Sequence, residues 1–160
     1  YAFLYGAGDT KIGHSYDKQL SDTQAAKKGR EIRKAYVEAI PGLKDLLEAV
    51  REVSKRGYVL GLDKRRILVD KPHKSLNYLL QGSAACIAKR WMVIVSKYDL
   101  PDCHQLAFVH DELQFECKPE QVKDLKFLLE LSAMQAGEHY NLRCPIAAES
   151  QSGNNWAEVH

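Results

Sequence analysis

Residues 105–117, QLAFVHDELQFEC, place His110, Asp111 and Glu112 between two apolar runs that alternate as β-strands do. A period of two is typical of strands with one buried face. The stretch therefore predicts two antiparallel strands joined by a tight turn. Three ionisable side chains in such a turn indicate either a solvated turn or a functional site.

Length and composition limit the class of protein. The chain has 160 residues, of which 45% are hydrophobic, enough for a core of its own. No apolar run approaches the roughly 20 residues of a membrane span and no signal peptide opens the chain, so we expect an intracellular protein. The sequence begins at Tyr1, in mid-pattern and without a helix-capping signal, so we expect part of a longer protein.

The four cysteines form no CxxC pair and have no ligand-like spacing to histidine. They are Cys86, Cys103, Cys117 and Cys144. This pattern predicts neither a zinc site nor a disulfide framework, and favours buried or idle thiols.

Charge is unevenly distributed. Residues 1–80 contain 16 Lys and Arg against 10 Asp and Glu, whereas residues 81–160 contain 7 against 11. The basic residues are densest in residues 51–74, as expected of a surface that binds a polyanion. On its own, such a run favours a solvated face.

The pattern predicts an α+β fold without repeats or a linker. The predicted elements are helices over 21–40 and 41–57, a strand pair over 58–70, a long helix from Pro72 to before Pro101, the two strands around His110, a helix over 119–137 and a short strand near 145–150.

The long helix carries polar residues at four-residue steps. His73, Asn77 and Gln81 would share one face, with Leu76, Leu79, Leu80, Ala84 and Ile87 on the other. Donors in such a row suit the minor-groove edges of a duplex, where every base pair presents acceptors. Gly82 and the small residues that follow it, Ser83, Ala84 and Ala85, would let another backbone or strand approach closely. Alone, the stripe favours ordinary helix packing.

The opening residues YAFLYGAGD would place Tyr1 and Tyr5 on one face if they are helical. Aromatic residues at this spacing belong to a core more often than to a stacking site for a base.

Together, four ordered stretches resemble family A DNA polymerases, most closely the replicative polymerases of short-tailed phages. They are YAFLYGAGD, GLDKRRILVDKPHKSLNYLLQGSAACIAK, FVHDELQFEC and GNNWAEVH, and the resemblance spans essentially all 160 residues. It implies a fragment of a right-hand polymerase, with residues 1–70 as the end of the fingers and 71–160 as the C-terminal part of the palm. A helical fingers remainder would pack on an antiparallel-sheet palm with a long duplex-contacting helix.

The resemblance also assigns roles to individual residues. The resemblance implies that Asp111 and Glu112 are catalytic carboxylates that bind metal, and that His110 contacts the primer end. DNA contacts fall on His73, Asn77, Gln81 and Arg65, nucleotide contacts on Tyr1 and Tyr5, and His160 becomes a C-terminal neighbour of the active site. Many members have arginine where this chain has His73, so a charged contact there depends on protonation.

The implied reaction is primer extension with two Mg²⁺ ions, which activate the primer hydroxyl and neutralise the leaving pyrophosphate. The implied partners are primer–template DNA, deoxynucleoside triphosphates and the missing N-terminal part of the polymerase, with a processivity factor left open. A phage-encoded chain would act in the host cytoplasm.

The chain lacks the arginine and lysine expected before Tyr1 and the strand with the second metal-binding aspartate. Asp70 imitates that aspartate, but the resemblance places it before the duplex-contacting helix. We therefore expect the fragment to be inactive alone. Two alternatives stay open: a non-catalytic nucleic-acid-binding module, and a metal-dependent nuclease that uses Asp111 and Glu112.

Overall fold

The computed structural model describes residues 3–159, which form two compact units, one up to Gly82 (the first unit) and one from Ser83 (the second unit). The helices are α1 Asp9–Tyr16, α2 Asp22–Ala39, α3 Leu43–Ser54, α4 Ser75–Val95 and α5 Val122–His139. The strands are β1 Tyr58–Leu60, β2 Arg66–Leu68, β3 Cys103–Val109 and β4 Glu112–Cys117. Short 3₁₀ turns occupy Pro72–Lys74, Pro119–Gln121 and Trp156–Glu158. This mixture of helices and small antiparallel sheets confirms the α+β class.

Helix α2 begins where its sequence predicts. Ser21 accepts a hydrogen bond from the backbone N–H of Gln24, whose side chain accepts one from the backbone N–H of Ser21. This reciprocal capping box satisfies two N–H groups that have no partner within the helix. Helix α3 follows Gly42, whose φ of 79° lies in the left-handed region that glycine tolerates.

Helices α1 and α2 pack at glycine. A Cβ atom added to Gly13 would lie 1.9 Å from the carbonyl oxygen of Ala25, and one added to Gly29 would lie 1.9 Å from that of Asp9. Only hydrogen atoms fit in these gaps. Across the same junction, Arg33 Nε donates to Asp9 Oδ1 at 2.7 Å and Arg33 Nη2 donates to the Ala7 carbonyl at 2.7 Å.

The remaining core of the first unit lies under the β1–β2 hairpin. One cluster contains four buried residues: Val50 of α3, Val59 of β1, Val69 just after β2, and Leu76 of α4. The side chain of Ile67 on β2 fills the space over Gly82, where an added Cβ atom would lie 2.6 Å from Ile67 Cδ1. The close approach predicted at Gly82 is thus made by this chain's own hairpin.

The second unit holds the rest of α4, the β3–β4 hairpin and α5. Its core comes from Val95 of α4, Leu113 of β4, and Leu125, Leu128 and Ala136 of α5, all buried. The indole Nε1 of Trp91 donates to the Leu129 carbonyl at 2.9 Å, which fixes α5 beside α4.

One predicted element is wrong and one helix was not predicted. Residues 3–6 form a turn, so the described part of the opening stretch does not meet the condition of being helical. The following α1 was not predicted because Ile12 is its one large buried residue. Residues 145–150 form no strand, since no neighbouring strand pairs with this stretch within residues 3–159. In the same range, no helix combines the length and apolarity required to cross a membrane.

Candidate functional site

The carboxylates lie at the tip of the β3–β4 hairpin. Val109 pairs with Glu112, so His110 and Asp111 form a two-residue loop. His110 has φ of 55°. Two-residue hairpin loops need positive φ at their first position because that twist matches the strands. Glycine is usual there, and a histidine indicates a side chain retained despite backbone strain.

Strand alternation separates the carboxylates from the core. Leu113 is buried beneath the sheet, so its neighbour Glu112 lies on the opposite face, where it is half-buried. Asp111 and His110 are exposed at the loop itself. The tip therefore exposes one carboxylate and an imidazole, with a second, half-buried carboxylate next to them in the chain.

The two carboxylates of the hairpin tip can be compared with the ligands of a divalent cation. Carboxylate oxygens are the ligands that Mg²⁺ prefers. No group of three or more His, Cys, Asp or Glu side chains that could hold a metal ion occurs within residues 3–159. Asp111 and Glu112 thus match such an ion in donor chemistry, but a complete site would need further ligands.

The long polar stripe lies at the start of α4. His73 belongs to the preceding 3₁₀ turn and is exposed, Asn77 is half-buried and Gln81 is exposed. The assignment of Leu80 and Ala84 to the opposite face is wrong, because both are exposed. They follow Asn77 by three and seven residues, a spacing that places them on its own face.

A carboxylate stabilises the start of this helix. The Tyr78 hydroxyl donates to Asp70 Oδ1 at 2.6 Å, joining the segment after β2 to α4. This hydrogen bond is the main reason that the pKa of Asp70 is lowered, with Lys71 and Lys74 adding to it. The same bond raises the pKa of Tyr78. Asp70 thus has a structural partner, and it helps to position His73 and Asn77.

The polar stripe borders a concave surface. A cavity of about 330 Å³ within the first unit is lined by residues that include Phe3, Leu4, Arg33, His73 and Asn77. Tyr5 lies between two residues that line this cavity, Leu4 and Gly6, and is 55% exposed. It belongs to a turn that ends at Gly6, whose φ is 73°. Tyr1 and His160 lie outside the described residues.

The β1–β2 hairpin bears the densest basic cluster. The guanidinium groups of Arg56 and Arg66 lie 4.3 and 4.7 Å from the ring centroid of Tyr58. Arg65 is paired with Asp63. The basic run was visible in the sequence, but the arrangement around Tyr58 was not, because it depends on which side chains share a face of the hairpin.

The chain is similar to known proteins in both sequence and structure. A model of DNA polymerase family A matches residues 1–158. Over its whole length the chain is similar to the DNA-directed DNA polymerases of Escherichia phage Phieco32 (34% identity, 27% of that protein covered) and Escherichia phage T7 (31% identity, 25% covered). It is also similar in structure to the POL domain of Pol1 from M. smegmatis, solved with DNA primer-template and dNTP. That match has a TM-score of 0.72 at 26% identity and covers 91% of this chain and 27% of the other. The chain thus spans about a quarter of these phage polymerases.

Proposed function

Because this chain belongs to DNA polymerase family A, we propose that it forms part of a polymerase that extends a primer 3′ end on a template during DNA replication. Residues 1–70 would be the end of the fingers and 71–160 the C-terminal part of the palm. The main support is the two-residue turn of the β3–β4 hairpin, which exposes Asp111 beside Glu112 in a chain with this family membership.

In this proposal Asp111 and Glu112 hold Mg²⁺ together with ligands from elsewhere in the longer polymerase. When bound, Mg²⁺ neutralises charge on the attacking primer oxygen and the leaving pyrophosphate. The hairpin contributes rigidity, because paired strands on both sides fix where the two carboxylates point. His110, at the same tip, would contact the primer end.

DNA contact is assigned to two surfaces of the first unit. His73, Asn77 and Gln81 would touch minor-groove acceptors, which occur at similar positions in every base pair and so allow binding without sequence preference. Arg56 and Arg66, stacked on Tyr58, would bind phosphate groups. Arg65 joins them only by exchanging its contact with Asp63. Tyr1 and Tyr5 would face the incoming nucleotide and the templating base.

This chain alone should not synthesise DNA. Phosphoryl transfer depends on positioning and on neutralising the triphosphate, and the two carboxylates of the hairpin cannot fix both metal ions. The remaining metal-binding and triphosphate-binding residues would come from the rest of the polymerase, which would be the first partner of this chain.

The test uses the longer polymerase that contains these residues. Asp111→Asn keeps the size and hydrogen bonding of the side chain but removes a metal-binding charge, so primer extension should fall by orders of magnitude while DNA binding is nearly retained. Asp102→Asn is the matched control, since Asp102 lies at the other end of the hairpin with φ of 57°, a conformation asparagine tolerates. It loses a surface ion pair with Lys118 and should keep full activity.

Near-normal extension by Asp111→Asn would contradict the catalytic role and return the turn to a solvated loop. Magnesium-dependent cutting of DNA by the 160-residue chain alone would instead support a nuclease. Binding of primed DNA by the chain alone should weaken with salt, by roughly 0.9 in the log–log slope for each phosphate contact. An affinity that is independent of salt would exclude the basic hairpin as a DNA surface.

A further inference from the structure

The open end of the β3–β4 hairpin brings two cysteines together. Cys103 on β3 and Cys117 on β4 are directly opposite each other in the strand register. Both are half-buried and both carry free thiols. Neither residue belongs to the proposed catalytic turn, which lies at the other end of the same strands.

This pairing depends on a β-bulge. Counted from the turn, Val109 pairs with Glu112 and Ala107 pairs with Gln114. If this register continued unchanged, His104 would lie opposite Cys117. An extra residue, Leu106, shifts the register by one, so that Cys103 takes that position.

The backbone also has the geometry that a cross-strand disulfide needs. Val109 and Glu112 close the two-residue loop as a hydrogen-bonded pair, and alternation along β4 then puts Cys117 in a non-hydrogen-bonded pair, in which opposite Cα atoms lie about 4.5 Å apart. In agreement, the N–H of Cys103 donates to the Leu100 carbonyl at 3.3 Å. Disulfides form between Cα atoms separated by about 4.4–6.8 Å. One residue further out, Lys118 Nζ and Asp102 Oδ2 form an ion pair at 2.7 Å that holds the two strand ends together.

We propose that Cys103 and Cys117 form a reversible intramolecular disulfide when the chain meets a small-molecule disulfide such as oxidised glutathione. A thiolate of one cysteine attacks a sulfur of the oxidant, giving a mixed disulfide and releasing one glutathione thiolate. The thiolate of the second cysteine then attacks the protein sulfur of that mixed disulfide and releases the second glutathione. Two protein thiols are oxidised by two electrons, and one glutathione disulfide is reduced to two thiols.

Burial raises the pKa of the Cys103 thiol, and the adjacent Cys117 adds to this shift. Because the thiolate is the nucleophile, the burial of Cys103 slows its ionisation and so slows the step in which it reacts. Cross-linking should therefore accelerate as the pH rises. The bond would close a loop of about 15 residues and leave the tip with Asp111 free, so oxidation should raise the melting temperature by several degrees.

The experiment treats the native 160-residue chain with oxidised glutathione and maps disulfides by mass spectrometry of proteolytic peptides. The expected product is a monomer with a peptide link between Cys103 and Cys117, which a reducing agent reverses. Cys144→Ser, which removes an exposed thiol elsewhere, should cross-link as the unchanged chain does. Cys117→Ser should lose the link.

A double variant, Cys103→Ser with His104→Cys, separates this geometry from mere nearness in sequence. The new thiol is almost as close to Cys117 along the chain, but it lies on the opposite face of β3, so it should cross-link at least tenfold more slowly. The proposal would be overturned if this double variant cross-linked to Cys117 as fast as the unchanged chain does. It would also be overturned by a sample in which glutathione modifies Cys144 while Cys103 and Cys117 stay unlinked.

Discussion

Gly29→Ala tests the packing of α1 against α2, on which the position of the Tyr5 segment depends. The added methyl group would lie 1.9 Å from the Asp9 carbonyl oxygen, whereas real Cβ contacts below 3.0 Å are essentially absent. The two helices would therefore have to separate by at least about 1 Å. The obstacle is backbone, which cannot rotate away as the end of a side chain can.

Two effects oppose each other in this variant. Alanine is favoured over glycine inside a helix by about 1 kcal/mol. Overpacking of a well-filled contact costs about 1–3 kcal/mol and sometimes more, and a backbone clash belongs at the upper end of that range. The clash therefore wins, and we expect a net loss of about 2 kcal/mol.

Hydrogen exchange of the α1 amides, measured by mass spectrometry, suits this prediction because it reports the stability of one region. A loss of about 2 kcal/mol should accelerate exchange roughly 30-fold. Gly8→Ala is the matched control, since it precedes the same helix with φ of −67° and its added Cβ atom meets nothing within 4 Å. That variant should change stability by less than about 1 kcal/mol. If Gly29→Ala exchanged as slowly as the unchanged chain, the close helix crossing would be refuted.

Three further variants test the helix face and the hairpin. Gln81→Ala in the longer polymerase should weaken duplex binding and reduce extension past mismatches, as a primer-extension assay would measure. His110→Gly should leave the stability of the chain within about 1 kcal/mol, because glycine tolerates φ of 55°, but should lower primer extension. Tyr78→Phe removes the bond to Asp70, so its urea midpoint should fall below that of the unchanged chain near pH 7. That difference should shrink as the pH falls below 3.8 or rises above 10.0, the ordinary pKa values of the two groups.

The pH window follows from the two shifts. The lowered pKa of Asp70 means that its carboxylate stabilises the fold above the ordinary value and loses this effect as protonation sets in. The raised pKa of Tyr78 means that its hydroxyl stabilises the fold until it ionises. A pH-independent difference for Tyr78→Phe would show that the hydrogen bond contributes nothing. Unchanged mismatch extension by Gln81→Ala would leave the helix face with a packing role, and full activity of His110→Gly would exclude contact between the imidazole and the primer.

The sequence was sufficient wherever a local signal determines the structure. Ser21 and Gln24 mark the start of α2 because a capping box is a contact between residues three apart. The alternation of apolar and polar residues on both sides of His110 is also a local signal, and it predicts the β3–β4 hairpin. In contrast, α1 has few apolar residues, and its helix is stabilised by packing of Gly13 against Ala25, a contact that periodicity does not reveal. Long-range packing decided the elements that the sequence left out.

The candidate site divides in the same way. The sequence predicts Asp111 and Glu112 in a turn; the structure places Asp111 in the two-residue loop and Glu112 at the first position of β4, paired with Val109. The Asp70–Tyr78 bond and the stacking of Arg66 on Tyr58 were not predicted, because each joins side chains from two different elements of the fold. The cysteine pairing depends on the single unpaired residue Leu106, and a bulge has no reliable signal in one sequence.

The strained turn links fold and proposed function most directly. Glycine at position 110 would satisfy the backbone, so the fold alone gives no reason for a histidine with φ of 55°. Because the loop between β3 and β4 has only two residues, His110 and Asp111 are each directly attached to a paired strand. Their positions are therefore tied to the strands. A longer loop would relieve the strain but would let both side chains move relative to the strands. Catalytic groups must be held within about 0.5 Å of their working positions, so a tight, strained turn suits the proposed role of these side chains better than a relaxed one.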